Sequence, residues 1–250
     1  MLENLIRKLS AGLIILTTTL YSGKALADDI FKAVKGPTFF QLDEKLFYSK
    51  NKNGIRAITN SLVLKYWDGH KFGKWIFVDL PYKYASSPKD SENGVGDITL
   101  GLGPRGKIKI GRIGYMHYLS HLALTLPTGN SEGDITLGNG RYDIKSNLMM
   151  TYLEPGEKWE IDASLEYRLT GKNNKDFNPP NEMYVGLVGG HEIIGKMRLA
   201  GGAIDVIRGN KHLLNSRIVG RYTYSKDWHI EFVGEVGKED KAGFQLRHNF

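Results

Sequence analysis

Apolar and polar side chains alternate with a period of two over most of the chain after residue 38. The alternation is clearest where Trp159, Ile161, Ala163, Leu165, Tyr167 and Leu169 are interleaved with Glu160, Asp162, Ser164, Glu166 and Arg168. Successive side chains of a β-strand point to opposite faces, so this segment predicts a strand with one apolar and one polar face. A charge in hydrocarbon costs about 2–4 kcal/mol at mid-depth, so we expect the polar face to meet water.

Turn signals divide the alternating region into strand-length segments. Twelve segments are predicted: Phe39–Lys50, Ile55–Trp67, Lys74–Ala85, Gly96–Gly106, Arg112–Leu126, Tyr142–Leu153, Lys158–Leu169, Glu182–Ile193, Lys196–Ile207, His212–Tyr224, Trp228–Val236 and Ala242–Phe250. Each is long enough to cross the hydrocarbon layer at a tilt of about 45°.

The connections between these segments fall into two length classes. The long ones are Ser86–Val95, Pro127–Arg141 and Thr170–Asn181, and they all lie at the same end of the predicted strands. Outer-membrane barrels have short periplasmic turns and longer external loops, whereas a soluble β-sandwich has no reason to separate its loops in this way. The pattern therefore predicts an all-β fold, a twelve-stranded antiparallel transmembrane β-barrel with up-and-down topology.

The two ends of the chain support export. Arg7 and Lys8 precede a largely apolar run, and Ala25-Leu26-Ala27 forms a small-x-small cleavage site, so residues 1–27 are predicted to be a signal peptide. The apolar run is shorter than the roughly 20 residues of a spanning helix. Residues 28–250 are then the barrel domain, with Asp28–Pro37 as a short periplasmic lead or a partial plug.

Aromatic residues occur mostly at the ends of the predicted strands. The last segment alternates to its final residue, Phe250, as expected of a closing strand that ends in the periplasmic aromatic girdle. We expect the barrel-assembly machinery to recognise Phe250. Tyr66, Trp67, Tyr152 and Trp228 are also predicted to lie in the girdles, because amphipathic rings favour the headgroup interface.

The polar face of each strand supplies the predicted lining of the lumen. The candidates are Asp143, Lys145, Glu160, Asp162, Glu166, Arg168, Arg217, Arg221, Glu231, Glu235 and Arg247. Acids and bases on neighbouring strands are expected to form a cross-strand charge ladder that fills the lumen and selects what passes. Twelve strands lie between filled eight-stranded barrels and open sixteen-stranded porins, so we expect a narrow or partly plugged lumen.

The net charge of +7 falls to +5 when the three basic residues and one acidic residue of the predicted signal are removed. This charge is dispersed, which favours contact with anionic outer-membrane lipid or lipopolysaccharide and gives no basic stripe for nucleic acid. The chain has no cysteine, so neither a lipid-modified N-terminal cysteine nor a disulfide framework is available.

A short glycine-rich pattern occurs twice, at Gly96–Gly103 and at Gly133–Gly140. No helix follows either copy, so a phosphate-binding loop is excluded, and chance duplication is the simpler explanation. The run Gly94–Gly103, Leu126-Pro127-Thr128-Gly129, Leu137–Gly140 and Tyr167–Gly171 resembles the outer-membrane transporter family named for the meta pathway of phenol degradation. The resemblance implies a twelve-stranded barrel and passive passage of small, often hydrophobic or aromatic, solutes.

Two other functions remain open at this point. A lipid-modifying hydrolase of the phospholipase type would need a His-x-Ser pair on one strand face, and the sequence contains none. His117 and His121 would lie about 13 Å apart along one strand, too far to share a metal ion. No catalytic, cofactor or metal-binding residue is therefore predicted. A structural or adhesive barrel without transport is the second alternative.

Overall fold

The structure, a computed structural model, describes residues 31–34, 38–50, 55–70, 72–131, 136–171, 180–225, 227–237 and 240–250. The predicted signal peptide lies outside these ranges. The strands are β1 (Phe31–Val34), β2 (Phe39–Lys50), β3 (Arg56–Trp67), β4 (Phe72–Ser86), β5 (Ser91–Val95), β6 (Thr99–Ile110), β7 (Gly114–Thr125), β8 (Asp143–Leu153), β9 (Trp159–Thr170), β10 (Glu182–Ile194), β11 (Met197–Arg208), β12 (Lys211–Thr223), β13 (Trp228–Val236) and β14 (Asp240–Asn249). Among the described residues, no helix is long and apolar enough to cross a membrane.

Twelve of these strands close into an antiparallel barrel that omits β1 and β5. Closure is made by β14, which pairs along its whole length with Gln41–Lys50 of β2. Between β4 and β6 the pairing runs over Phe72–Asp79 and Thr99–Gly106, so the wall is continuous there without β5. The predicted twelve-stranded barrel is confirmed.

The two additional strands correct the predicted boundaries. β5 lies inside the predicted Ser86–Val95 loop, where it pairs with Tyr82–Ser86 of the unusually long β4. β1 lies inside the predicted lead or plug and pairs with Lys107–Ile110. Lys107–Ile110 also pair with β7, so β6 continues to Ile110 through residues that were predicted to form a turn.

We call the end of the barrel that carries the long connections the outer mouth, and the end that carries Phe39 and Phe250 the inner mouth.

The distribution of apolar and charged side chains in the wall is the reverse of that in a soluble protein. Large apolar side chains point outward, and Leu187 and Ile218 are each 61% exposed. Ionised side chains point inward, and Asp43 and Asp143 are each 0% exposed. A closed barrel with this distribution spans an outer membrane, because hydrocarbon contacts the apolar face and each of the twelve described wall strands is paired on both sides.

Aromatic rings mark both rims of the apolar band. Phe40 and Tyr66 pack with ring centroids 5.2 Å apart near the inner mouth, and Phe250 donates its backbone N–H to the Phe40 carbonyl at 2.8 Å. Tyr82 and Tyr84 are exposed near the outer mouth. Trp67 does not lie in the girdle as predicted. The alternation of side chains along β3 places Trp67 on the inner face, whereas Tyr66 lies on the outer face.

Candidate functional site: the barrel interior

The inner face carries all eleven predicted lining residues. Asp143 and Glu160 are buried and the other nine are partly buried, whereas the apolar residues that alternate with them are mostly more exposed. Contact of these residues with a passing solute remains a prediction. Their surroundings show how the charges are compensated.

Glu160 is the centre of a charge cluster that joins β9, β11, β12 and β13. It forms ion pairs with Arg198 and with Arg221, the second at 3.8 Å. Arg221 also contacts Glu231, with Nε 3.1 Å from the carboxylate. Three of the predicted residues therefore meet in one network, and Arg198 is a member that the sequence analysis missed. Arg198 lies in a glycine-rich strand whose two faces do not separate into apolar and polar.

Asp143 organises a second cluster near the outer mouth. Arg168 contacts it at 2.6 Å and Arg141 at 3.2 Å. Asn139 donates its side-chain amide at 2.6 Å, and the Gly171 backbone N–H donates at 3.1 Å. Asp143 thus ties the loops on both sides of the β8–β9 hairpin to the wall.

A third cluster surrounds Asp43, which the sequence analysis also missed. Lys65 lies 2.5 Å from its carboxylate, Gln245 donates at 2.8 Å, and the predicted residue Arg247 lies at 3.3 Å. Polar residues at 43, 44 and 45 fall on both faces of β2 and conceal the alternation, although Asp43 has inward parity. Elsewhere, Arg217 pairs with Glu235 at 3.7 Å.

Aromatic side chains form a row on the inner face across β2, β3 and β4. The rings stack in the order Phe39, Trp67, Trp75 and Phe77, with successive centroids 5.8, 5.1 and 4.8 Å apart. His121 meets both Trp75 and Phe77 edge-on. The Arg105 guanidinium lies 4.9 Å from the Trp67 centroid, within cation–π range. We call Phe39, Trp67, Trp75 and Phe77 the aromatic row.

A cavity of about 360 Å³ opens at the inner mouth. Its wall comes from β10 to β14 and includes Glu192, Lys196, Arg198, Arg221, His229 and Arg247. Because Glu160, Glu231 and Asp43 lie against these bases, the cavity is polar without being an isolated positive pocket. Its volume is within the range of small-molecule pockets.

The longest described connection, between β7 and β8, folds toward the inner wall at the outer mouth. Leu137 is 2% exposed and packs against Ala85 and Ala57. The Leu137 carbonyl accepts a hydrogen bond of 2.8 Å from Lys83, an inward residue of β4. The connection starts at β7 and reaches past β6 to β4 and β3, so it narrows the outer mouth.

Ser120 lies on the opposite face of β7 from His117 and His121. Ser120 has outward parity, and its hydroxyl donates to the Asn147 carbonyl at 2.8 Å. His121 has inward parity and contacts the aromatic row. This serine and this histidine therefore do not form a nucleophile–base pair. Among the described residues, no group of three or more His, Asp or Glu side chains is arranged to hold a metal ion.

A family model and several solved structures are similar to the chain. The model described as "Putative MetA-pathway of phenol degradation" matches residues 38–243. An outer membrane channel from Pseudomonas putida F1 is 15% identical with a TM-score of 0.62, over 89% of this chain and 98% of that chain. The KdgM porin is 8% identical with a TM-score of 0.53, over 84% of this chain and 99% of that one.

The β domain of the Bordetella autotransporter BrkA is also similar, at 11% identity and a TM-score of 0.52, over 85% of this chain and 99% of that chain. At these identities the likeness concerns the fold. No curated protein matches the chain.

Proposed function

The chain belongs to the MetA-pathway phenol-degradation family, and from this premise we propose that it is a passive outer-membrane channel for small molecules with an apolar or aromatic part. Diffusion down a concentration gradient drives passage in either direction. The proposal includes no catalytic step, cofactor or resident metal.

The observation that supports this cargo is that the inner face carries an aromatic row on β2–β4 and a charge cluster on β9–β13. The rings of the aromatic row stack on one another, and together they give this part of the inner face an apolar, polarizable surface that favours aromatic solutes. The Glu160 cluster lies on other strands, β9 and β11–β13, where its charges suit water and polar substituents. The Asp43 cluster lies beside the aromatic row, because Asp43 and Lys65 belong to β2 and β3. A small amphipathic solute meets a suitable surface in each region, and selectivity follows from these lining groups.

The predicted lining residues would act mainly through the shape and potential of the lumen. Arg168, Arg221 and Arg247 each have a carboxylate partner, so none of them offers an isolated cation to a solute. Paired charges hold a narrow polar path without trapping an ionised solute, and passive conduction requires such weak binding.

Uptake by proteoliposomes tests the proposal. The folded protein is placed in vesicles, and uptake of a benzoate salt, a sugar of similar size and a short fatty acid is compared with uptake by vesicles that carry heat-unfolded protein. We expect benzoate to enter fastest. Trp67→Ala should lower that rate more than the sugar rate, because it interrupts the aromatic row and removes apolar contact surface. If no solute enters faster than in the control vesicles, the barrel is not a channel, and an adhesive or structural role would replace this proposal.

Two partners remain predictions from the sequence. Contact of the basic chain with lipopolysaccharide should depend on ionic strength, because it is electrostatic. Recognition of Phe250 by the assembly machinery is compatible with a side chain that is 69% exposed at the inner mouth.

A further inference from the structure

We infer that Asp97 is a positioning residue that holds Leu137 in the outer mouth and thereby limits the size of the solutes that pass. The size limit rests on the proposed channel function. The anchoring of Leu137 rests on contacts within the protein alone.

Asp97 lies between β5 and β6 and binds both described limbs of the β7–β8 connection, residues 126–131 and 136–142. One carboxylate oxygen accepts the backbone N–H of Gly129 at 3.1 Å, and the other accepts that of Asn139 at 2.7 Å. Hydrogen bonds to a carboxylate are about twice as strong as neutral ones. A single side chain therefore holds the two limbs together and fixes them to the wall.

Glycine is required where the limbs meet Asp97. A Cβ on Gly138 would lie 2.3 Å from an Asp97 carboxylate oxygen and 2.8 Å from the Gly129 Cα. A Cβ on Gly129 would lie 2.8 Å from the Gly138 backbone. The limbs are in backbone contact, and a larger residue at either position would push them apart.

The neighbouring residues strengthen the same attachment. The Thr128 hydroxyl donates to the Gly96 carbonyl at 2.8 Å and accepts the Ile98 backbone N–H at 2.9 Å. The Leu137 and Gly138 N–H groups both donate to the Asn130 carbonyl, at 2.8 and 2.9 Å. These bonds shape the turn that presents Leu137 to Ala85.

This arrangement also gives the duplicated glycine-rich pattern a role. The first copy supplies Asp97, and the second copy supplies Leu137, Gly138 and Asn139, which Asp97 and the wall bind. The sequence analysis treated the duplication as chance. The structure brings the two copies into direct contact at the outer mouth.

The burial of Leu137 identifies the side chain that attaches the connection to the inner wall. Loops ordinarily run over a protein surface, whereas Leu137 is 2% exposed against inward residues of β3 and β4. Without Asp97, the bonds of Thr128, Asn139 and Lys83 and the packing of the leucine would have to hold this position. We therefore expect Leu137 to leave the wall more often in an Asp97→Ala variant.

Engineered cysteines test the anchoring directly, because the chain contains no cysteine of its own. A Leu137→Cys/Ala85→Cys pair should form a disulfide on mild oxidation. Adding Asp97→Ala should slow its formation about tenfold or more, since two bonds to a charged group are lost. Asp90→Ala is the matched control, because Asp90 is another acid near the outer mouth and its carboxylate caps the Ser91 N–H. The heat-dependent gel shift of a folded barrel checks that each variant folds.

Uptake of a graded series from monosaccharide to tetrasaccharide tests the size limit. Asp97→Ala should raise the uptake of the larger sugars several-fold relative to the monosaccharide, and Leu137→Ala should do the same while the anchor remains intact. Oxidation of the cysteine pair should lower the uptake of the larger sugars relative to the reduced pair, because the disulfide holds the connection on the wall.

The outcomes separate this inference from the proposed function. Equal disulfide rates with and without Asp97→Ala would overturn the anchoring. A slower rate with an unchanged size dependence would overturn the size limit alone. If no variant passes any solute, the channel function fails and the size limit fails with it, while the disulfide rates still decide the anchoring.

Discussion

At the scale of single residues, the interior is governed by the compensation of buried charge. Asp43 is 0% exposed and lies against Lys65, Gln245 and Arg247. Removing one member of a buried ion pair costs more than the pair contributes, because the remaining charge stays desolvated. The acid is therefore critical for stability even though it need not touch a solute.

Asp43→Asn should lower the free energy of unfolding of the barrel by about 3–5 kcal/mol, because Lys65 and Arg247 lose their carboxylate. Urea unfolding of the protein folded into vesicles measures this change. Glu44→Gln is the control, since Glu44 is the next residue along β2 and points to the opposite, exposed face. Equal stability of the two variants would show that the Asp43 cluster is not a compensated unit.

At the scale of elements, β6 and β7 approach closely at Gly103. Pairing is regular at Leu102 and again at Arg105, while Pro104 between them lacks an N–H for the ladder. The Ser120 carbonyl instead accepts a hydrogen bond of 2.8 Å from the Trp75 indole. The aromatic row is thus fastened to β7 through a gap in the β6–β7 ladder.

Gly103→Ala should destabilise the barrel by about 1–3 kcal/mol, as overpacking does in a well-packed site. The added Cβ would lie 1.9 Å from the Ser120 carbonyl oxygen and 2.6 Å from the His121 Cα, and both are backbone atoms. Gly234→Ala should be nearly neutral, because a Cβ there meets nothing within 4 Å. The same urea titration compares the two variants. A stable Gly103→Ala protein with normal tryptophan fluorescence would contradict the close approach.

At the scale of the whole molecule, the outer face is apolar because hydrocarbon is its solvent. Leu187 lies near the middle of β10, and Ile113 lies in the turn after β6, yet each is 61% exposed. If water surrounded the protein, a charged side chain would be tolerated equally at the two positions. In a membrane they differ, because only Leu187 lies at hydrocarbon depth.

Leu187→Arg should therefore destabilise the barrel in vesicles by about 2–4 kcal/mol, whereas Ile113→Arg should cost about 0–1 kcal/mol. Unfolding in lipid vesicles and the yield of folded protein report the difference. Equal tolerance of arginine at both positions would contradict the assignment of the apolar band.

The local sequence pattern was enough to predict which face of the wall most side chains occupy. The two-residue period of β9 and β12 places Glu160 and Arg217 on the inner face without knowledge of their partners, because strand geometry alone fixes the face. The period fails where both faces are polar or both are apolar, as in β2 and β11. Asp43 and Arg198 were missed for that reason. Trp67 was placed wrongly because its position at a strand end was given more weight than its parity.

Alternation and turn spacing are properties of neighbouring residues, so the sequence was enough to predict a twelve-stranded barrel with a lipid-facing and a water-facing side. The charge pairs between strands that are distant in sequence depend on the tertiary structure, because closure brings Asp43 against Arg247 across 204 positions. The tertiary structure alone showed the stacked aromatic row and Leu137 in the outer mouth. Those contacts depend on which strands become neighbours and where a loop folds, and no local period encodes either.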